Sequence, residues 1–122
     1  MISLLVLIKR KAGMSKEQFR EYYERSHVAL AKKHVAHLFA DYRRNYATSA
    51  IFLAKFYEGA SDTQDEPFDM VTTILFENQS KCDEFFRVME TPEIKQAFAA
   101  DEANFMDRAG SLVMLCDSVK TV

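Results

Sequence analysis

The first eighteen residues, MISLLVLIKRKAGMSKEQ (Met1 to Gln18), hold three signals in a row: an apolar run, a turn and a helix start. Ile2 to Ile8 is short, nearly continuous and rich in Leu, Ile and Val, which predicts a central strand buried on both faces. Lys9-Arg10-Lys11 and then Ala12-Gly13 close that strand and turn the chain. Ser15 can accept from the backbone N–H groups that follow it, and Gln18, three positions on, can reach back to the Ser15 backbone. This capping box starts a helix. Phe19, Tyr22, Tyr23, Leu30, His37 and Leu38 recur at spacings of three, four and seven, and no Gly or Pro intervenes before Gly59. The helix is therefore predicted to run to about residue 38.

From this β-α opening the rest of the order follows. Asp41 to Ala47 alternates Tyr42, Arg44 and Tyr46 with Asp41, Arg43 and Asn45, a period of two without a strongly apolar face. It reads as a strand with an exposed or polar side. Ile51 to Tyr57 is apolar and aromatic and fits a strand, a lid or a helical turn equally well. Glu58 to Pro67, with Gly59, Ser61 and four acidic residues, reads as an exposed loop. Phe68 to Phe76 carries the β-branched run Val71-Thr72-Thr73-Ile74 and is a further strand. Ser80 is expected to cap a helix holding Phe85, Phe86, Val88 and Met89, which breaks and restarts at Thr91-Pro92. That helical region is expected to continue through Asp107 and end at Gly110, before a last strand from about Leu112 to Val119. The order β-α-β-β-α-β is the split βαβ, ferredoxin-like α+β pattern.

Composition narrows the function. The chain has 122 residues, enough for one domain (residues 1–122) and too few for a two-domain mechanism. With 48% hydrophobic and 28% charged residues it has the content of a packed core. Sixteen basic residues against eighteen acidic give a net charge of -2, which supplies no basic excess for nucleic-acid binding. No apolar run approaches the roughly 20 residues of a membrane span. The N-terminal apolar stretch lacks a basic region and a cleavage site, so no membrane partner is expected and a cytoplasmic location is. Cys82 and Cys116 have no metal-type or redox spacing and are expected as reduced thiols, not bonded to each other. Gly-rich phosphate loops, nucleotide fingerprints, nucleophile elbows and metal boxes do not occur.

Several segments together resemble a known family. Lys9-Arg10-Lys11-Ala12-Gly13-Met14-Ser15, Phe19-Arg20-Glu21-Tyr22-Tyr23 and His27-Val28-Ala29-Leu30 resemble the opening of the EthD family. Its members typically run Lys-Arg-Lys, Pro/Ala-Gly-x-Ser/Thr, Phe-x-x-Tyr-Trp/Tyr, His-x-x-Leu. The resemblance continues through Tyr42 to Tyr46, Phe68-Asp69 with Phe76, and Asp101 to Asp107. It implies a dimeric α+β barrel: a homodimer of ferredoxin-like protomers, each with a pocket between sheet and helices. Members resemble polyketide cyclases (lyases), small dehydratases and cofactor-free monooxygenases, and some are known only as accessory proteins of degradation operons. Many relatives carry a Glu in the third strand where this sequence places Thr73, so chemistry that depends on that Glu does not transfer.

His27, His34 and His37 all fall on the first helix. At about 100° per residue from Phe19, His37 falls near 0°, Leu30 near 20°, Tyr23 near 40°, His34 near 60° and His27 near 80°. All share the apolar sector, and a helix end beyond the sheet would leave His34 and His37 in solvent. His27 sits about two turns, roughly 10 Å, from His37, too far for one metal ion. No metal or cofactor is therefore expected. His27, whose ordinary pKa suits proton transfer at neutral pH, is either a pocket residue or a core histidine with a structural hydrogen bond. Arg44 and Tyr46 share one face of their strand and, if they face the helices, would polarise a carbonyl or hold an enolate. The alternative is an exposed edge strand. The candidate catalytic residues are thus His27, Tyr46 and Arg44, with Tyr23, Phe85, Phe105 and Asp107 at the bound molecule. One carboxylate among Asp101, Glu102 and Asp107 would orient His27, unless all three belong to a solvated helix face.

The expected activity is cofactor-independent, His-assisted proton transfer on an apolar aromatic or polyketide-like molecule: cyclisation, dehydration or isomerisation. A non-catalytic accessory dimer that holds a small hydrophobic molecule is the alternative, distinguished by a filled core without a cavity. A monooxygenase-like activity, cofactor-free or haem-dependent, is the third.

Overall fold

The computed structural model describes residues 1–59 and 63–122. Ser61, placed by the sequence in the exposed loop, lies outside the described residues. Four strands, β1 (Ile2–Arg10), β2 (Asp41–Tyr46), β3 (Met70–Phe76) and β4 (Met106–Asp117), form one sheet in the order β2-β3-β1-β4, every neighbouring pair antiparallel. β1 and β2 are therefore separated by β3, the spatial order of the split βαβ fold. The helical layer comprises α1 (Lys16–Tyr22), a π-helical turn (Tyr23–His27), α2 (Val28–His34), a 3₁₀ turn (Ala36–Leu38), α4 (Gln79–Glu90) and α5 (Pro92–Glu102), while the five-residue α3 (Leu53–Tyr57) sits in the β2–β3 connection.

The register sets the two faces of the sheet. Leu4, Val6 and Ile8 of β1 share a face with Met70, Thr72 and Ile74 of β3 and with Tyr42, Arg44 and Tyr46 of β2. This face meets the helices. Leu5, Leu7, Val71, Thr73, Leu75, Leu112 and Met114 occupy the other. Thr73, paired with Leu5 and Arg43, is thus on the side away from the helical layer. The buried core forms two clusters, one around Leu4, Ile74, Phe76, Phe85 and Phe98, the other around Ile8, Phe19, Tyr23, Met70 and Phe105. Phe19, Phe76 and Phe105 are at most 1% exposed. Each such side chain contributes about 1.5–3 kcal/mol by leaving water.

Local chemistry explains the elements. The capping box forms as expected: Ser15 Oγ accepts from the Gln18 N–H at 3.1 Å, and Gln18 Oε1 accepts from the Ser15 N–H at 2.9 Å. The first helical segment does reach Leu38, but in pieces. Its middle widens into the π turn, where the Val28 N–H donates to the Tyr23 carbonyl, five residues back. At Val35 the backbone leaves helical geometry. His37 is exposed and His34 half-buried against Phe98. Asn78, not Ser80, caps α4, its side chain accepting from the Lys81 N–H at 3.0 Å. Thr91 and Pro92 open α5 at the expected place.

The start of β4 corrects the sequence reading. The strand begins at Met106, so Asp107 and Gly110 belong to it and not to the end of a helix. Leu7 pairs with Leu112 and Lys9 with Asp107, so Ile8 alone on β1 faces four residues, Arg108 to Ser111, on β4. The bulge is held by side chains. Asp107 Oδ1 accepts from the Gly110 N–H at 3.1 Å, and Ser111 Oγ donates to the Asp107 carbonyl while accepting from the Lys9 N–H. A Cβ at Gly110 would lie 2.7 Å from Asp107 Oδ2. Glycine lets the Asp107 and Lys9 side chains approach the bulge closely, a signal that in sequence is indistinguishable from a helix stop.

Candidate functional site

His27 closes the π turn and projects toward the sheet, with 11% of its side chain exposed. The wider turn stacks its ring on that of Tyr23, one turn earlier, with centroids 4.8 Å apart. Phe105 and Phe98 contact the ring edge-on at 5.1 and 5.4 Å. An imidazole in such surroundings needs a polar partner. Asp101 of α5 supplies it, Oδ2 lying 2.9 Å from His27 Nδ1.

The second oxygen of Asp101 is equally occupied. Oδ1 accepts from the Tyr22 hydroxyl and the Ser26 hydroxyl, both at 2.7 Å, and Asn104 Nδ2 donates to the Tyr22 oxygen at 2.9 Å. The first helical segment and α5 are thereby joined through one carboxylate. Of the three candidate acids, Asp101 orients His27. Burial pushes its carboxyl upward, but the hydrogen bonds from Ser26, Tyr22 and His27 outweigh that and hold its pKa below the ordinary range. Burial lowers the pKa of His27, and the Asp101 contact opposes this only in part. At neutral pH His27 is accordingly unprotonated at one nitrogen. With Nδ1–H donating to Asp101, the bare atom is Nε2. Among the described residues no buried side-chain nitrogen or oxygen lacks a partner. Nε2 has none, so it reaches open space.

His27 lines a cavity of about 230 Å³ between the sheet and the helices, together with Tyr23, Tyr42, Thr72 and Glu102 among Leu4, Val6, Ile74, Phe85, Phe86, Phe98 and other apolar side chains. Its size suits a molecule of one or two rings, since an apolar cavity of about 150 Å³ already holds benzene. Its polar lining includes His27 and a cluster of hydroxyls, in which the Tyr23 hydroxyl lies 3.0 Å from the Tyr42 hydroxyl and 3.3 Å from that of Thr72, with Tyr23 itself 2% exposed. Glu102 lines the cavity, its pKa raised by burial and held down in part by Arg108, 3.5 Å away.

The remaining candidates lie elsewhere. Arg44 and Tyr46 do face the helical side, which resolves the question their alternation raised. Both are committed to Glu24: Arg44 Nε donates to Oε2 at 3.0 Å, Arg44 Nη2 to Oε1, and the Tyr46 hydroxyl to Oε2 at 2.6 Å. Neither lines the cavity. Arg44 touches the site only through Tyr42, its guanidinium lying over that ring at 4.8 Å. Of the four residues expected at the bound molecule, Tyr23 and Phe85 line the cavity, whereas Phe105 stands behind His27 in the core and Asp107 ties the β4 bulge. Tyr42 and Thr72 are additions. Tyr42 shares the parity of Arg44 and Tyr46, and Thr72 is the polar member of an otherwise apolar buried row, so both signals were present in the sequence. Among the described residues no three His, Cys, Asp or Glu side chains converge as metal ligands, and no helix is long and apolar enough to cross a membrane. Cys82 and Cys116 are free.

Comparison with solved structures places this architecture. An EthD family protein from Bacillus halodurans is similar at a TM-score of 0.65 with 17% identity, over 98% of this chain and 99% of that one. A protein from Arabidopsis thaliana aligns at 0.59 and 13% identity, over 100% and 99%. A dimeric protein of unknown function with a ferredoxin-like fold from Bacteroides fragilis aligns at 0.54 and 12%, over 96% and 95%. Identities this low establish the fold alone. No curated protein matches the sequence. The model of the EthD domain, however, matches residues 11–109, most of the chain, and the protein therefore belongs to the EthD family.

Proposed function

We propose that the protein is a cofactor-independent enzyme that moves a proton on an apolar aromatic or polyketide-like molecule held in the cavity, in a cyclisation, dehydration or isomerisation. The observation that carries this reading is His27. Its Nδ1 is fixed by a buried carboxylate, and the ring lines an apolar cavity in which Nε2 would act. Such an imidazole is a positioned general base with one defined tautomer. Burial keeps it unprotonated at neutral pH, and the apolar walls strengthen every charge interaction formed inside. Asp101 would stabilise the imidazolium that forms when Nε2 takes a proton. A cavity serves an enzyme and an accessory protein alike, and it is the Asp101-bonded His27 in its lining that favours the enzyme.

A homodimer is the assembly that suits the sheet. Leu5, Leu7, Val71 and Leu75 lie on the face away from the helices, with Leu112 and Met114 each 43% exposed. A sheet face of this composition is stable when another surface covers it. The Bacteroides fragilis relative is described as dimeric. The two free thiols suit a reducing compartment such as the cytoplasm.

The test uses an unspecialised apolar ketone, 2-indanone, and follows exchange of its α-hydrogens with deuterium oxide by NMR. The protein is expected to accelerate exchange over buffer, and His27→Gln to lose that acceleration by about 10²-fold or more. A folded His27→Gln variant with the full exchange rate would overturn the assignment.

A further inference from the structure

A base alone does not complete such a site. When a C–H bond adjacent to a carbonyl gives its proton to Nε2, the C–H electron pair becomes a C=C bond and the carbonyl π pair moves onto oxygen. The imidazole becomes imidazolium, the oxygen becomes an oxyanion, and returning the proton to carbon restores both. The developing oxyanion needs a donor already in place. Arg44 Nε and Nη2 and the Tyr46 hydroxyl donate to Glu24, Arg44 Nη1 reaches the Tyr42 carbonyl, and neither residue lines the cavity. A donor in the cavity lining fits better.

We propose that Tyr42, backed by Tyr23 and Thr72, is the donor to that oxygen, and hence that the bound molecule belongs to the class of ketones, enones or phenols. The inference rests on the reading of the His27 cavity as the reacting site.

The three hydroxyls form a chain whose ends differ. At the inner end Thr72 Oγ1 donates to Met70 Sδ at 3.8 Å, a weak acceptor. The middle member, Tyr23, is buried and bonded on both sides. At the outer end Tyr42 is half-buried on the edge strand and lines the cavity. Three hydroxyls carry three hydrogens, and the chain can run either way. A ligand oxygen at the outer end turns it outward: Thr72 donates to Tyr23, Tyr23 to Tyr42, and Tyr42 to the ligand. Only the weak bond to sulfur is lost. The outward chain is cooperative, each bond strengthening the next.

The surroundings keep Tyr42 a donor. Burial and the neighbouring Tyr23 push its pKa well up, so the phenol stays protonated. The Arg44 guanidinium packs over the Tyr42 ring, 4.8 Å from its centroid. Tyr23 stacks on His27 at 4.8 Å. The base and the head of the hydroxyl chain therefore flank the same small cavity, one for the carbon-bound proton and one for the oxygen.

The probes are 4-nitrophenolate, which presents an aromatic oxyanion, and 4-nitrotoluene, a near-isostere without one. Binding is followed by absorbance above the phenol's pKa. Wild type is expected to prefer the phenolate. Tyr42→Phe, which keeps the ring under Arg44, should weaken the phenolate by about 10- to 100-fold, the scale of a hydrogen bond to a charged group. Its affinity for 4-nitrotoluene should change less than about twofold. Thr72→Val, which shortens the chain from its inner end, should give a smaller loss in the same direction and serves if Tyr42→Phe does not fold. Equal losses for both probes, or a selective phenolate loss with Tyr46→Phe and none with Tyr42→Phe, would overturn the role of Tyr42 while leaving the cavity reading intact. Binding of neither probe would overturn both.

Discussion

Replacing Asp101 with Asn removes a charge while keeping the shape and, in one orientation, every hydrogen bond. Oδ1 of Asp101 accepts from Tyr22 and Ser26, and Oδ2 faces His27 Nδ1. Because Asn104 donates to the Tyr22 oxygen, the Tyr22 hydroxyl must itself donate, and the amide oxygen has to stay at the Oδ1 place. The amide NH₂ then points at Nδ1, which can accept only if its proton moves to Nε2. The cavity-facing nitrogen is converted from a base into an N–H. In energy, charged hydrogen bonds worth about 1.5–3 kcal/mol each become neutral ones worth about 0.5–1.5. Part of that loss is offset because the buried charge no longer needs desolvation. A net loss of about 1–3 kcal/mol is expected, small enough for the fold to survive. The assay is two-bond ¹H–¹⁵N NMR of the imidazole ring, which separates protonated from bare nitrogens. Wild type should show Nδ1–H with bare Nε2, and Asp101→Asn the reverse, with the His27 pKa lower still, since the acid that raised it is gone. The same tautomer in both proteins would refute the argument that Asp101 sets the base.

Further outcomes follow from the same contacts. The pKa of His27 is lower in the folded chain than its ordinary 6.5. The unfolded chain therefore takes up the proton first, and the stability that neutral His27 contributes is complete above pH 6.5 and falls as the pH drops toward the folded value. Urea titrations across that window should show this slope in wild type and a shallower one in His27→Gln. Glu24→Gln weakens the hold on both Arg44 and Tyr46. As Glu24 is 38% exposed, a loss of only about 1 kcal/mol is expected in chemical denaturation, together with weaker phenolate binding as Tyr42 loosens. Light scattering should give twice the 14.1 kDa chain mass, and Leu5→Asp, at the middle of the outer sheet face, should give monomer. Wild-type monomer at micromolar concentration would contradict the dimer.

What could be read from sequence was whatever a local rule determines. The strand order, the Ser15–Gln18 box and the shared parity of Tyr42, Arg44 and Tyr46 each follow from spacing, whereas the direction of that parity, toward the helices, does not. What could not be read depends on side chains distant in sequence. Glu24 claims Arg44 and Tyr46, and nothing near residues 41–46 announces it. Likewise, Asp101 could be narrowed to a group of three acids but no further, because its selection rests on α5 lying against the π turn, 74 positions away from His27 in sequence. The π turn itself has no composition signal, and a uniform 100° per residue misses it. Gly110 misled because a close-packed bulge and a helix end ask for the same residue.

The claim at the centre is that unprotonated His27 is the base acting inside the cavity. The most direct measurement is the rate of α-hydrogen exchange of 2-indanone against pH, set beside the His27 titration followed by NMR in the same sample. The rate should rise with the unprotonated fraction of His27 and inflect at its pKa, below the ordinary 6.5. A rate that ignores this titration, inflecting elsewhere or persisting while His27 is fully protonated, would contradict the account.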